Sequence, residues 1–205
     1  MQAREPLLPE KITSDNFSVS LGGYSPHEIR ALSELPTKIQ KKLEQHLLER
    51  FGDAYYKRLV FTGGQIVNFS ELYKAEPTAK NYDWKVFAYR LTYRISEPEK
   101  GIEAYFGTIE LDQKGEVQTE INLPKTRQFP QKTHFISLAS AYNAAKQRGL
   151  TPAKAWLSYN RHYDSVVFHF MQEFSAAGST FEIWNIDIDA HSGAELKNYV
   201  SQGIH

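Results

Sequence analysis

The sequence predicts an α+β fold of two tandem units, each a helix packed on an antiparallel sheet. A helix start and an apolar stripe come first, and three strand-like segments follow them. The same order of elements recurs after a polar linker, and a short strand-and-turn motif recurs 77 positions later. A single helix-on-sheet layer cannot account for both copies. We therefore expect a first unit with an N-terminal extension over residues 1–124 and a second unit over residues 125–205.

The first unit opens with a clear helix signal. Residues 25–28 read Ser-Pro-His-Glu, a capping box with Pro26 at the first helical position, where its missing N–H costs nothing. We expect one helical layer from about 26 to 51, broken or restarted at Pro36 and ended by Gly52. Its apolar stripe consists of Ile39, Leu43, Leu47 and Phe51.

Three segments rich in β-branched and aromatic residues follow, at 58–68, 84–95 and 102–111. A polar turn with Pro and Gly at 96–101 joins the last two as a hairpin. Residues 17–21 also alternate and meet two glycines, which predicts a short early strand. The second strand buries one face, formed by Phe87, Tyr89, Leu91, Tyr93 and Ile95.

The second unit repeats this plan after a polar linker at 125–133. Ser137 is placed to cap a helix that Gly149 and Pro152 stop. Strands are expected at about 155–160, 165–174 and 180–189, with a Gly-containing turn at 175–179. The apolar face of the helix consists of Leu138, Ala141, Tyr142 and Ala145.

A short motif indicates that the two halves are related by duplication. In each half a strand ends in Asp and runs into a turn that contains Gly and then Glu. The Asp side chain can accept backbone N–H bonds in such a turn, and Gly can take the positive φ that closes it. The corresponding residues are Ile109, Leu111 and Asp112 in the first half and Ile186, Ile188 and Asp189 in the second.

The helix and aromatic-rich strands that end at residues 186–196, Ile-Asp-Ile-Asp-Ala-His-Ser-Gly-Ala-Glu-Leu, resemble the PepSY family. Residues 135–197 carry this resemblance, and the first half is similar to a more divergent copy. The resemblance implies a cystatin-like helix on a curved antiparallel sheet and a role in binding or inhibiting peptidases or other proteins. It implies no catalytic residues and no cofactor.

The charge balance argues against a nucleic-acid partner. The chain has 24 Lys and Arg against 24 Asp and Glu, whereas phosphate binding requires a basic excess on one face. The absence of cysteine excludes disulfides, thiolate metal sites and cysteine nucleophiles. No His-x-x-x-His spacing indicates a zinc site, so we expect no metal and no cofactor.

No apolar run is long enough for a secretory signal or a membrane span. We therefore expect a cytoplasmic chain without a membrane span. A chain whose signal peptide had been removed would instead be periplasmic or secreted.

Two carboxylate pairs are the first candidates for chemistry. Asp187 and Asp189 lie two apart on a strand and share one face, and Glu110 and Asp112 occupy the equivalent places in the first half. Such a spacing suits acid–base catalysis or a metal. Because the pair occurs in both copies, we interpret it as turn and edge-strand construction.

His162, Asp164 and Ser165, with His169 nearby, contain the residue types of a catalytic triad. Neighbours in sequence seldom converge as nucleophile, base and orienting group, so we assign them turn and surface roles. Gly63 and Gly64 lack a following Lys-Ser/Thr and predict a bulge or turn, not a phosphate site.

The strand aromatics support a binding role for the chain. Most are expected in the core, while some can line an exposed sheet face and anchor a partner. We therefore expect a non-enzymatic module that binds another protein or peptide, as an inhibitor or an immunity-type protein of a toxin system. A small-molecule pocket and a structural assembly role are the alternatives. These aromatics are Tyr89, Tyr93, Tyr105, Phe106, Phe168, Phe170, Phe174, Phe181 and Trp184.

Overall fold

A computed structural model describes residues 9–16, 19–81, 86–175 and 180–204. The fold is mixed α+β, as predicted. Its helices are α1 (Thr37–Phe51), α2 (Asp53–Tyr56), α3 (Phe69–Ala75) and α4 (Leu138–Gln147), with short 3-10 turns at Leu32–Glu34, Pro77–Asn81, Pro98–Lys100 and Pro130–Lys132. Its strands are β1 (Ile12–Thr13), β2 (His27–Ile29), β3 (Val60–Ile66), β4 (Tyr89–Glu97), β5 (Ile102–Leu111), β6 (Val117–Thr119), β7 (Lys154–Asn160), β8 (Ser165–Ser175), β9 (Thr180–Asp189) and β10 (Glu195–Ile204).

The chain divides into two compact units. The middle unit consists of the described parts of Asp15–Ile95 together with Phe106–Asn122. The C-terminal unit consists of the described residues up to Ser14, of Ser96–Tyr105 and of the chain from Leu123 onward. One sheet has the order β1-β5-β4-β3-β2, with β6 also on β5, and the other has the order β10-β9-β8-β7.

The core of the middle unit includes the predicted apolar stripe of α1. Ile39, Leu43, Leu47 and Phe51 are all buried. Arg50 is buried beside them, where its guanidinium donates to the carboxylate of Glu120 and to the backbone oxygen of Ile121. Helix α1 is thus fixed to the segment after β6 by a charged contact as well as by apolar packing.

The predicted start of this helix is wrong. Residues 27–29 form β2 and pair antiparallel with β3, so that Ile29 lies opposite Gly64 and is buried. The helix begins only at Thr37, directly after Pro36. Strand pairing, which buries Ile29, outweighs the local capping signal of residues 25–28. A different acidic residue, Glu34, accepts the backbone N–H groups of Arg30 and Ala31.

A second cluster of the middle unit lies around α3. Asn68 caps this helix by accepting the backbone N–H groups of Ser70 and Glu71, and its own N–H donates to the hydroxyl of buried Tyr24. The early strand expected at 17–21 begins outside the described residues. Of its described part, Leu21 forms an isolated bridge with Tyr24 across the Gly22–Gly23 turn. The cluster contains Leu21, Tyr24, Val67, Leu72 and Phe87.

The strand predictions for the first half are confirmed within a few residues by β3, β4 and β5. The hairpin turn at 96–101 is also confirmed and ends at Gly101 with φ +79°. Inside the C-terminal unit, β1 pairs parallel with the start of β5, so that Ile12 lies opposite Ile102. The early part of β5 is therefore flanked by a short strand from the N-terminal segment.

The C-terminal unit follows the predicted order of elements. Ser137 caps α4 by accepting the N–H of Ser140, and the helix ends before Gly149, which has φ +91°. Strands β7, β8 and β9 are confirmed, whereas β10 was not predicted. The turn expected at 175–179 lies almost wholly outside the described residues. The buried face of α4 consists of Leu138, Ala141 and Ala145, while Tyr142 is half-buried.

Both Asp-Gly turns form as predicted. Asp112 accepts the N–H groups of Lys114 and Glu116, and Gly115 follows with φ +80°. Asp189 accepts the N–H groups of two later turn residues, and Gly193 follows with φ +77°. The likeness is local to these turns, so the duplication of the whole unit stays a prediction, as does the cystatin-like detail of the fold.

Candidate functional site

A row of polar and aromatic side chains crosses the four-stranded sheet of the C-terminal unit. Trp156 on β7 is paired with His169 on β8, His169 with Asp187 on β9, and Asp187 with Lys197 on β10. Side chains of directly paired residues lie on the same face of a sheet. The four residues therefore form one row, which we call the polar row, on one face of this sheet.

Three side chains in and beside the polar row form a continuous hydrogen-bonded chain. The Nδ1 of His169 lies 2.6 Å from Oδ1 of Asp187. On its other side, Nε2 of His169 lies 2.5 Å from Oγ of Ser158. Ser158 is two residues along β7 from Trp156 and therefore shares its face. Three neighbouring strands thus bring a hydroxyl, an imidazole and a carboxylate into contact.

The carboxylate sets the direction of these hydrogen bonds. An ionised carboxylate only accepts, so Nδ1 of His169 carries a proton and donates it to Asp187. In the neutral imidazole this leaves Nε2 as an acceptor, and the hydroxyl of Ser158 is its donor. The side chain of Asp187 is 7% exposed and that of His169 17% exposed. The histidine therefore gives this buried carboxylate a hydrogen-bond donor, which offsets the cost of its burial.

An aromatic ring fixes the plane of the imidazole. The ring of Trp156 stacks on that of His169 with centroids 5.2 Å apart and planes 18° apart. Trp156 itself remains 39% exposed. The indole therefore covers one face of the imidazole while presenting its own outer face to solvent.

The other end of the polar row is also partly aromatic. The ammonium of Lys197 lies 4.2 Å from the ring centroid of Tyr199, a cation–π contact on β10. Partial burial, and then the nearby charge of Asp187, raises the pKa of the Tyr199 phenol. Asn185 joins the two last strands by donating to the hydroxyl of Ser201. This face therefore carries exposed aromatic rings near both of its edges.

The opposite face of the same sheet is apolar and is covered in part by α4. Tyr142 of α4 packs on Phe170, which is fully buried. Towards β10 the apolar residues become exposed. Phe174 packs edge-on against Trp184, and Val200, paired with Trp184, is 51% exposed. Val200 is the most exposed large hydrophobic side chain in the described part of the chain.

The residue types that resemble a triad in sequence do not assemble as one. His162 packs edge-on against Tyr163 in the β7–β8 turn. Asp164, at φ +45°, accepts the hydroxyl of Tyr159 and the backbone N–H of Lys125. Ser165 is fully buried and donates to Asp189. These three residues occupy turn and core positions, while His169 alone enters the Ser158–His169–Asp187 chain.

The carboxylates singled out in the sequence have separate partners. Glu110 forms a 2.5 Å ion pair with Arg90 in the middle unit, and Asp112 builds the turn after β5. Asp187 contacts His169, whereas Asp189 builds the turn after β9. Burial alone would raise the pKa of Asp189, but hydrogen bonds from Ser165, Ser192 and His191 outweigh it and lower that pKa.

The Gly63–Gly64 pair forms a bulge, as predicted. The register of β3 on β4 shifts between Phe61 and Gly63, and Gly63 has φ +141°. A Cβ on Gly64 would lie only 2.7 Å from the backbone oxygen of Arg90, so only glycine allows this approach of the strands. Both glycines line a polar cavity of about 250 Å³ in the middle unit.

A larger cavity of about 420 Å³ lies in the C-terminal unit. Lys11, Lys100 and the start of α4 line it, together with the half-buried Tyr142. Its volume is within the range of small-molecule pockets. A small-molecule-binding role therefore stays a prediction, and the lining does not identify a ligand.

The aromatic strand residues divide between core and surface. Tyr93, Tyr105, Phe168 and Phe170 are buried, and Phe174 is exposed. The remaining four are half-buried: Tyr89, Phe106, Phe181 and Trp184. Burial raises the pKa of Tyr93 well above its ordinary value. The one exposed residue of these nine, Phe174, lies on the four-stranded sheet, where Trp156 and Tyr199 are also exposed.

Within residues 9–16, 19–81, 86–175 and 180–204, no three His, Asp or Glu side chains are grouped to hold a metal ion. In the same segments no helix has the length and apolar character needed to cross a membrane. Comparison with models of protein families, with curated proteins and with solved structures found no match. The resemblance of residues 135–197 to the PepSY family therefore stays a prediction.

Proposed function

We propose that the chain is a protein-binding module that receives an extended peptide segment of its partner along β10. The observation that carries this proposal is the combination of an edge position with exposed apolar side chains on a ten-residue strand. Strand β10 ends the order β10-β9-β8-β7, and it carries Val200 and Tyr199 as exposed side chains. Addition of a peptide strand to such an edge is a recurring mode of recognition.

The hydrogen-bonding direction of β10 supports this mode. Asp189 donates its N–H to Ala194 on the β10 side, while Ala190 donates to Val166 on β8. Because backbone groups alternate along an antiparallel pair, odd-numbered residues of β9 bond towards β10. Their partners are Lys197, Tyr199 and Ser201. The N–H groups of the intervening residues, Asn198, Val200 and Gln202, therefore point away from the sheet.

The side chains along β10 specify what an incoming strand should carry. On the helix side of the sheet Val200 continues the apolar strip of Phe174 and Trp184. On the polar-row side Lys197 is exposed beside Tyr199. A matching segment has an apolar residue opposite Val200 and, on its alternate face, an acidic residue near Lys197. An alternating apolar and acidic segment of another protein is the expected ligand.

The test begins with 12-residue peptides selected from a displayed random library on the immobilised full chain. Residue-resolved amide hydrogen exchange is then measured with and without a selected peptide. Strand addition predicts new protection at Asn198, Val200 and Gln202, because their N–H groups gain acceptors. Recovery of no binding peptide, or protection confined to residues around the 420 Å³ cavity, would overturn the proposal.

A matched pair of variants isolates the backbone contribution. Val200→Pro removes one outward N–H at a position where an edge strand tolerates proline, and Val200→Thr keeps the N–H with a side chain of similar shape. We expect peptide affinity to fall at least about 10-fold in Val200→Pro, since a hydrogen bond is lost and the incoming strand meets the ring. It should change much less in Val200→Thr. Equal affinities for the two variants would contradict strand addition.

A further inference from the structure

We propose that Ser158 is a reactive nucleophile that accepts an acyl group from an ester, with His169 as its general base and Asp187 as the positioning residue. This activity is separate from strand addition at β10 and does not depend on it. It also departs from the non-enzymatic role that the sequence predicts. The proposal concerns a site formed by three strands of the C-terminal unit.

The contacts follow the order that an activated serine requires. Oγ of Ser158 lies 2.5 Å from Nε2 of His169, and Nδ1 of the same ring lies 2.6 Å from Asp187. A serine hydroxyl is a weak nucleophile until a base within hydrogen-bond reach takes its proton, and the base works best when a third group orients it. Each role is filled here by a residue from a different strand.

Burial increases from Ser158 through His169 to Asp187, so the hydroxyl is the group nearest to solvent. Asp187 is buried at 7% exposure, His169 is 17% exposed, and Ser158 is half-buried. The buried carboxylate is therefore available to stabilise a protonated imidazole, because charge attraction strengthens away from water. The hydroxyl lies at the more open end, on β7, which is the edge strand opposite β10. A small ester would have to approach it from that side.

The stack of Trp156 on His169 also fixes the orientation of the imidazole. A histidine that served only to hydrogen-bond a buried carboxylate would not need this stack. With ring planes 18° apart, the indole holds the imidazole edge-on to both Asp187 and Ser158. Its exposed outer part leaves an apolar surface beside Ser158, against which the acyl portion of an ester could pack. The acyl group expected here is therefore apolar and uncharged.

A second serine–aspartate contact on the same sheet provides an internal contrast. Ser165 donates directly to Asp189 at 2.5 Å, and both residues are buried. The hydroxyl of Ser165 therefore has only a carboxylate as its hydrogen-bond acceptor in this contact, and the lowered pKa of Asp189 makes that carboxylate a weak base. Ser165 is a structural residue of the Asp189 turn. The same sheet thus holds one hydroxyl bonded to an imidazole and one bonded to a carboxylate.

The reaction balances without an oxidant or a bound metal. Oγ of Ser158 forms a bond to the ester carbonyl carbon while its proton passes to Nε2 of His169. The bond from that carbon to the alcohol oxygen then breaks, and the departing alcohol takes the proton from His169. Water adds to the acyl-serine by the same route, which releases the carboxylic acid and restores the hydroxyl.

The experiment treats the full chain with a fluorophosphonate, which forms a bond from phosphorus to an activated serine oxygen and releases fluoride. We expect mass spectrometry to place the adduct on Ser158 and Ser158→Ala to abolish it. His169→Ala should slow labelling about 100-fold or more, the usual contribution of a general base. Ser140→Ala is the control, because this exposed α4 hydroxyl forms its 2.8 Å hydrogen bond with the hydroxyl of Ser137 and not with an imidazole.

Circular dichroism on every variant separates loss of reactivity from loss of fold. If His169→Ala fails to fold, Asp187→Asn serves in its place, and we expect slower labelling of the folded variant than of the wild type. A burst of p-nitrophenol from p-nitrophenyl acetate, lost in Ser158→Ala, is the second measurement. Absence of labelling in the folded wild type, or labelling that persists in Ser158→Ala, would overturn the proposal.

Discussion

His169 on β8 and Asp187 on β9 are direct cross-strand partners, with Nδ1 of the histidine 2.6 Å from Oδ1 of the aspartate. This contact joins the two central residues of the polar row, which are less exposed than its two ends. It also removes the cost of burying a carboxylate without a partner. The stability of the four-stranded sheet and the chemistry proposed for Ser158 both depend on it.

A double-mutant cycle measures this contact. We expect His169→Ala and Asp187→Ala to be non-additive, with a coupling of about 0.5–3 kcal/mol in the free energy of unfolding by urea. The control cycle pairs His169→Ala with Glu182→Ala. Glu182 lies on β9, as Asp187 does, but it is paired with Phe174 and not with His169. That cycle should be additive within about 0.5 kcal/mol. Additivity in both cycles would contradict a direct contact.

Asp189 makes stability depend on acid pH. Its folded pKa is lowered because Ser165, Ser192 and His191 hydrogen-bond the charged carboxylate. The resulting stabilisation is present above the unfolded pKa of about 4 and is lost as pH falls through the lower folded pKa. We expect urea unfolding at pH 6, 4 and 3 to show this loss in the wild type and a smaller one in Asp189→Asn.

The same comparison needs a control for general charge effects. Asp53→Asn removes an exposed carboxylate that pairs with Lys57, and such pairs contribute little. Its pH profile should therefore match that of the wild type. Asp189→Asn should also be less stable at pH 6 by at least about 1 kcal/mol, since it loses charged hydrogen bonds. If Asp189→Asn were as stable as the wild type at pH 6, the structural role of Asp189 would be contradicted.

His191 adds a second pH dependence nearer neutrality. Its folded pKa is lowered, first by burial, although the backbone oxygen of His134 and the charge of Asp189 act in the other direction. Nε2 of His191 is buried and has no hydrogen-bond partner among the described residues. Protonation there would place a charged N–H without an acceptor. The neutral ring stacks on Phe135, with centroids 5.0 Å apart.

Below about pH 6.5, the ordinary pKa of histidine, His191 is protonated in the unfolded chain but stays neutral in the folded chain until the pH falls to its lower folded pKa. We therefore expect unfolding free energy to fall between pH 7 and pH 5, by less than about 1.4 kcal/mol per pH unit for this group. His191→Phe keeps a stacking ring and cannot titrate, so its profile should be flatter. His162→Phe, in the exposed β7–β8 turn, should keep the wild-type slope.

Alanine substitutions at two glycines distinguish the cost of a positive φ from the cost of steric contact. Gly101 has φ +79°, and a Cβ there would lie 2.9 Å from the backbone oxygen of Glu10 and 3.0 Å from Cβ of Leu138. Gly149 has φ +91°, and a Cβ there meets nothing within 4 Å. We expect Gly149→Ala to cost about 1–2 kcal/mol from the positive φ alone and Gly101→Ala to cost more. Thermal and urea unfolding measure both, and equal costs would mean that the contacts at Gly101 relax freely.

Much of the fold could be predicted because local patterns agree with the tertiary structure. The stripe Ile39, Leu43, Leu47 and Phe51 lies on the buried face of α1. In β4 the predicted face is buried at Leu91, Tyr93 and Ile95 and half-buried at Tyr89, whereas Thr92 of the other face is also buried. The start of α1 could not be predicted in this way. Residues 25–28 satisfy a local helix signal, but pairing of β2 with the Gly63–Gly64 region of β3 buries Ile29 and is invisible in sequence.

Strand β10 was missed for a different reason. Its apolar residues, Leu196, Tyr199, Val200 and Ile204, are spaced by three, one and four, which fits a helix face better than a strand. The cause is a register shift between Glu195 and Lys197, which leaves Leu196 as an extra residue. A bulge interrupts the alternation from which strands are predicted. Asn68 was similarly missed as the cap of α3 because no long apolar stripe follows it.

The Ser158–His169–Asp187 chain lay beyond sequence analysis because it depends on the register of two strand pairs. Shifting β8 by one residue against β7 would turn His169 to the opposite face. Nothing local distinguishes His169 from His162 or Ser158 from Ser165. The candidates chosen by sequence proximity therefore fell in a turn, while those joined by strand pairing went unnoticed.

The extra residue at Leu196 lies between the Asp189 turn and the regularly paired part of β10. Asp189 and its hydrogen bonds define the turn before it, and the regular pairing of β10 begins only after it. The exposed Ala194 has no side-chain hydrogen-bonding group, so replacing its side chain leaves the hydrogen bonds of Asp189 intact. Ala194→Cys should thus leave the exposed edge in place, and it gives a chain without other cysteines an attachment point for a fluorescent reporter of binding.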